Sequence, residues 1–431
     1  MKHLNQFLNS NFIYKLQLMF IIILSILILL FGRAGQGVFF YYFRIGEVFF
    51  GLLILLSFLQ INLKSKEWKI QKTYSYFVIF FLVIFGYGGF EFPESLRASS
   101  FVFSFSMYLI LENSFNNKKY LSRFSYFIFY LSNIGIVLFL LNNYFDGQLF
   151  YKLFANISDK PYSFVKVSEV TVIVIFIFYF TVFHLSNNRL KYMSLAIIGL
   201  VIPVIIYFSR GATLGLLFGL TIIYYFSKNK NIVNKYLLYV LMFSLMSFLN
   251  LNNLIIKEGG QNFSTFFDDY IVGEETIEGY NKPPELLSLN CGNSRFKIPI
   301  ITNDGNINWR LWVLEDIVNC NTASVERFLI GYGFNEPIIP MQTPLRGGYD
   351  GQNTYPHNFF LTVFYRLGFI GIFFITTMLL FIFKDKKYTI YSPSLVTFVI
   401  VGSFGVVFEG FTQLIFWIYI YIENNFSSTS S

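Results

Sequence analysis

The chain has 431 residues, 55% of them apolar and 21% aromatic, with only 13% charged and a formal net charge of +8. Soluble domains carry roughly a quarter charged residues, so this composition excludes a disordered chain, a secreted disulfide scaffold and an ordinary cytosolic enzyme. The apolar residues fall in runs such as Phe20 to Phe31, with one hydroxyl and no charge, as in a polytopic membrane protein.

A helix needs about 20 apolar residues to cross a hydrocarbon core about 30 Å thick. In chain order such stretches lie near 14–32, 45–63, 73–90, 98–113, 124–142, 168–186, 192–208, 212–227, 236–251, 357–383, 394–408 and 411–423. The last two are short, and 394–423 reads either as a hairpin broken at Glu409-Gly410 or as one bent helix. The predicted fold is therefore an all-α integral membrane protein of about 12 transmembrane helices. It divides into an N-terminal bundle of about nine helices (1–251), a large loop (252–356) and C-terminal helices (357–431). Gly32-Arg33-Ala34 fits a signal cleavage site poorly because of its central Arg, so the first span is counted.

Lys and Arg collect on the cytoplasmic side in short loops. Clusters at Lys64 to Lys72, Lys118 to Arg123, Arg189 and Lys191, Lys228 to Lys235, and Lys384 to Lys387 occupy alternate connections. With Lys2 and Lys15 also inside, both termini are predicted to be cytoplasmic. Most of the positive charge is thus topological and calls for no nucleic acid. Only two arginines, Arg123 and Arg189, fall in these cytoplasmic segments. The rest lie on or near the outer face, and Arg is the residue suited to bidentate contact with phosphate or carboxylate.

On that face, the connection 252–356 is about a hundred residues long, far beyond ordinary loops. Trp309, Trp312, Val313, Ile317 and Val318 form a helical pattern within it. Pro and Gly accumulate from Gly331 to Pro356, so one or two helices over the membrane surface and an ordered loop are expected. Cys291 and Cys320 both lie in this segment, where a disulfide is permitted; pairing and free thiols stay open alternatives.

His3 and His184 lie toward the cytoplasm, which leaves His357 as the outer-face histidine. Pro356-His357-Asn358 begins a span, faces several arginines and places an imidazole where it can act as a general base. Arg210 sits between two apolar spans with no loop to solvate it, which is costly unless the charge is paired or lines a cavity. Gly211 after it is expected to let the chain turn into a helix whose N-terminus favours anions. Arg33, Arg44, Arg97 and Arg310 recur near that depth, and together they suggest a polyanion site. No zinc spacing, acidic cation loop, P-loop or dinucleotide motif occurs. Asp268-Asp269 and Glu274-Glu275 read as solvated surface. No metal and no cofactor are expected.

Two stretches resemble a known family. Ser209-Arg210-Gly211-Ala212-Thr213-Leu214-Gly215 resembles the SRG motif of the O-antigen ligase and polymerase superfamily. His357-Asn358, followed after nine residues by Gly368 and then by Gly371, resembles that family's late histidine motif. Arg310-Leu311-Trp312 and Gly331-Tyr332-Gly333 resemble the R-x-x-x-W and G-x-G surroundings, with a shorter Arg-to-Trp spacing here. The layout, a dozen spans with one large loop before the His motif, is also similar.

The resemblance implies a glycosyltransferase in the bacterial inner membrane, its active site facing the periplasm. It would move glycan from an undecaprenyl-pyrophosphate donor to lipid A-core (ligase) or to a second lipid-linked repeat unit (polymerase), with ligase favoured by the His motif. His357 and Arg210 are then the expected catalytic residues, as base and as stabiliser of the departing pyrophosphate. Arg33, Arg310, Arg97 and Asn358 are expected to bind substrate or, for Asn358, to cap the helix. Gly368 and Gly371 are expected to permit close helix packing. The rival from another class is a lipid-linked-oligosaccharide transporter, which calls for repeated halves and polar residues through the midplane. Instead, the ionisable residues crowd one face, with Arg366 the clearest exception. A non-catalytic membrane scaffold fits these clustered charges less well still.

Overall fold

The structure, a computed structural model, describes residues 11–40, 43–60, 78, 104–115, 118–144, 152–158, 166–255, 296–298, 305–334, 338–342, 356, 358–384, 392–404 and 413–426. The predicted span 73–90, apart from Val78, lies outside these residues, as do Arg97, Cys291 and His357.

The helices follow the apolar runs. They are α1 (Asn11–Gln36), α2 (Ile45–Gln60), α3 (Ser106–Ser114), α4 (Lys118–Tyr144), α5 (Val167–Phe183), α6 (Asn188–Phe208), α7 (Arg210–Phe226) and α8 (Lys230–Ile255). Next come α9 (Gly305–Thr322), α10 (Val325–Ile330), α11 (Phe359–Lys384), α12 (Pro393–Phe404) and α13 (Gln413–Phe426). Among the described residues, five helices (α1, α4, α6, α8 and α11) are long and apolar enough to cross a membrane. Four more (α2, α5, α7 and α12) are apolar but shorter. The one described sheet is a small hairpin, β1 (Phe39–Phe40) on β2 (Phe43–Arg44), which the all-α expectation did not include.

Burial follows side-chain pattern. A helix apolar all round belongs in the interior, and α5 is buried continuously from Glu169 to Thr181. Helix α13 lies beside it, with Phe176 and Tyr419 stacked at 4.0 Å between ring centroids. By contrast, α8 turns Leu238, Leu241, Leu245 and Leu249 outward, a stripe at helical spacing suited to lipid.

Two tight reversals set the directions at the centre. Residues 184–187 link α5 to α6, and the single residue Ser209 links α6 to α7, so α5 and α7 run the same way. Helix α12 runs against α7, because Gly211, Gly215 and Gly219 face Phe404, Val401 and Thr397 in turn. A Cβ on those glycines would come within 2.5, 2.3 and 2.4 Å of these side chains. Small residues every four positions let two helices approach closely where lipid supplies no hydrophobic drive. Gly211 thus serves packing inside α7, correcting its expected role as a turn residue; the turn itself is made by Ser209.

Segment 394–423 is folded back as two helices. Phe398 on α12 meets Phe416 and Trp417 on α13 at 5.1 and 5.8 Å, whereas 18 residues of one straight helix would span roughly 27 Å. At the far end Glu423 closes the pair, accepting from the Ser392 hydroxyl, from Ser394 N at 3.1 Å and from Ser394 Oγ at 2.5 Å. These donors belong to the first turn of α12, whose N–H groups have no partner within the helix.

Candidate functional site

The SRG stretch opens α7. Ser209 is its N-cap, with Oγ accepting from Ala212 N at 3.2 Å and the backbone carbonyl accepting from Thr213 Oγ1 at 2.9 Å. Capping by Ser is favoured because it satisfies an orphan amide. Arg210 is therefore the first helical residue, and its side chain is exposed.

Asn358 caps α11 as expected, its Oδ1 accepting from Leu361 N at 3.1 Å and its carbonyl from Thr362 Oγ1 at 3.0 Å. His357 precedes this cap directly, and Pro356 before it is buried. Helix α11 breaks at Gly368, where φ is 60° and ψ −160°, a region essentially reserved for glycine. The break frees carbonyls that a straight helix would use itself. Phe364 O accepts from Asn321 Nδ2 at 2.6 Å, Tyr365 O from Tyr332 N at 2.8 Å and Arg366 O from Gly333 N at 2.9 Å.

The Gly331-Tyr332-Gly333 segment is thus docked on the bend. A Cβ at Gly331 would lie 2.6 Å from the Tyr365 carbonyl oxygen, and one at Gly368 would lie 2.5 Å from Leu329 backbone. Gly368 therefore does permit close packing. Gly371 does not meet another helix first; the nearest atoms to a Cβ there are those of Leu367, one turn back in the crook of the bend. Gly368→Ala is expected to cost about 1–3 kcal/mol in backbone strain and about 1–3 kcal/mol more in forced separation from α10. A thermal unfolding midpoint equal to the parent's in detergent would refute this.

Arg366 explains itself in this setting. It is buried, donates from Nη1 to Gly333 O at 3.1 Å and lies 5.8 Å from the Phe334 ring. Its half of α11 is packed on α9, α10 and the 3-10 turn Ile339–Gln342.

Arg33 is half of an ion pair. Helix α1 kinks at Gly32 (φ 54°), and Arg33 Nη2 meets Glu169 Oε1 at 2.6 Å, with side-chain exposures of 8% and 1%. The other Glu169 oxygen accepts from Lys166 N at 3.0 Å, capping α5. The sequence singles out Arg33 as an anion ligand but not its partner. The available signal is an ionisable Glu169 at the start of an apolar span.

Arg310 is on α9, half-buried, and Val313, Ile317 and Cys320 on that helix pack with Tyr365 of α11. Cys320 is disulfide-bonded.

The helix directions gather these groups. The start of α5 carries Glu169 with Arg33, the start of α7 carries Arg210, and α12 ends beside Gly211 at Phe404. Helix α11, which starts at the Asn358 cap, packs against α12. A small, open apolar cavity lies between α11, α12 and α13, lined by Phe359, Phe360, Ile375, Met378, Phe398 and Trp417 among others. Phe359 and Met378 share it because α11 is bent.

Residues 204–376 match the family model described as O-antigen ligase. This match supports membership of the O-antigen ligase/polymerase superfamily. No curated protein matches it. The matched stretch begins in the last turn of α6 and ends beyond the bend of α11, so it takes in Arg210, Arg310, His357, Asn358 and Gly368. Membership carries a glycan-transferring function of the ligase/polymerase type in surface-polysaccharide biosynthesis. It also implies lipid-linked glycan substrates in a membrane, which suits a multi-pass protein with an apolar cavity beside the start of α11.

Proposed function

We propose that this chain transfers glycan from an undecaprenyl-pyrophosphate donor to an acceptor sugar hydroxyl at the periplasmic face of the bacterial inner membrane, acting as a ligase onto lipid A-core. The observations that support the proposal are that Ser209 caps α7 and so puts Arg210 on its first turn, that Asn358, the residue after His357 in the sequence, caps α11, and that α12 packs against both helices.

The acceptor hydroxyl is a weak nucleophile, and His357 takes its proton as the new bond to the anomeric carbon forms. The bond from that carbon to the pyrophosphate oxygen breaks, and the leaving diphosphate gains negative charge. Arg210, at a helix N-terminus whose dipole also favours anions, stabilises that charge. Arg33, Arg97 and Arg310 are further contacts for donor phosphate and sugar, and Asn358 fixes the helix that presents His357. The apolar cavity beside Phe359 suits contact with part of the donor's isoprenoid chain. The charge asymmetry of the loops supports an orientation with this end outside the cytoplasm, and a disulfide at Cys320 suits an oxidising compartment.

The deciding experiment is surface-polysaccharide profiling of a deletion strain with lipid-linked intermediates extracted in parallel. Long chains retained on the lipid carrier beside bare lipid A-core are expected. A single repeat unit still reaching the core would make the enzyme a polymerase. An unchanged profile would overturn both.

A further inference from the structure

The bend of α11 is held by a stacked aromatic latch, with Tyr365 buried and Tyr332 half-buried. Tyr332 and Tyr365 stack with centroids 4.6 Å apart and planes at 2°. The Tyr365 hydroxyl accepts from Ile339 N at 3.1 Å, and the side chain is fully buried. Tyr332 donates from its hydroxyl to Cys320 O at 3.1 Å, while Arg327 donates to that hydroxyl at 2.8 Å and lies 4.5 Å from the ring centroid. The pair therefore ties the disulfide-bonded end of α9 to the helix that His357-Asn358 begins.

We propose that this stacked pair sets the angle of the outer half of α11, making Tyr332 and Tyr365 positioning residues for glycan transfer; this rests on the site assigned above. A straight α11 would keep the carbonyls of residues 364–366 in its own ladder. They are given to residues 321, 332 and 333 instead, so the bend angle follows from where segment 331–333 sits. Asn358 stands ten residues before Gly368, about 15 Å of helix. At that radius a turn of about 4° moves the cap by about 1 Å, and such a misplacement of a reacting group costs about a hundredfold. Neither tyrosine needs to touch the sugar for the effect to appear.

The test uses the full chain in proteoliposomes, with lipid-linked glycan extracted from the deletion strain as donor. Tyr332→Leu and Tyr365→Leu are expected to lower kcat about a hundredfold. Donor KM should stay within about twofold, since ground-state binding is untouched. Tyr332→Phe and Tyr365→Phe keep the stack and should recover most of the rate. A leucine variant with parental kcat, or one altered in KM alone, overturns the proposal. So does failure of both leucine variants to accumulate in the membrane, which would make the pair a folding element. His357→Ala in the same assay separates the two failures: full activity there removes the site assignment, whereas an inactive His357→Ala beside a fully active Tyr332→Leu removes only the latch.

Discussion

His357→Ala is expected to lower glycan transfer by about 10²- to 10⁴-fold at normal membrane abundance, the range lost when a positioned general base is removed. Arg210→Ala should lower it by about 10²- to 10³-fold, as for loss of a preorganised charge aimed at the departing oxygen. Neither change should disturb folding. Arg210 is exposed at the first helical position, where Ser209 rather than Arg210 makes the cap. The cap of α11 is made by Asn358 and not by the residue before it. Arg210→Lys keeps the charge but loses the planar fork that matches two phosphate oxygens, so it should recover part of the rate. The measurement is transfer from extracted lipid-linked glycan, normalised to protein in the membrane. Full transfer by both alanine variants would remove the site assignment.

Much of this site is legible in the amino-acid sequence. Hydropathy places the long helices among the described residues, and the apolar pattern from Trp309 to Val318 coincides with α9. Asn358 is recognisable as a cap from its place ahead of an apolar run. What pattern cannot supply is pairing at long range. Arg33 and Glu169 lie 136 residues apart, and each looks like an isolated charge at the end of a span. The role of Gly211 is hidden for the same reason, since a glycine after SRG suits a turn as well as it suits close approach, and only the presence of Phe404 decides. Gly368 is half legible: a small residue predicts close packing, but its positive φ depends on α10 and the 331–333 segment arriving to pair with the freed carbonyls. Tyr332 and Tyr365 carry no signal in a chain with 30 tyrosines.

Breaking the Arg33–Glu169 pair is the largest stability change expected at this end of the bundle. Arg33→Met leaves the Glu169 carboxylate almost fully buried with no cation opposite, and a stranded buried charge costs about 3–5 kcal/mol. Glu169→Leu strands Arg33 in the same way and also removes the cap from Lys166 N. Each single variant should accumulate poorly and melt early in detergent. The double variant Arg33→Met with Glu169→Leu should recover most of the loss, because a buried ion pair replaced by apolar groups of similar volume is often neutral. That double variant also separates two roles for Arg33. Arg33 that only holds α1 against α5 predicts stable and active protein, whereas Arg33 that also contacts donor phosphate predicts stable protein with a raised donor KM. Should the double variant prove as unstable as the singles, the 2.6 Å contact would not be what fixes α1 to α5.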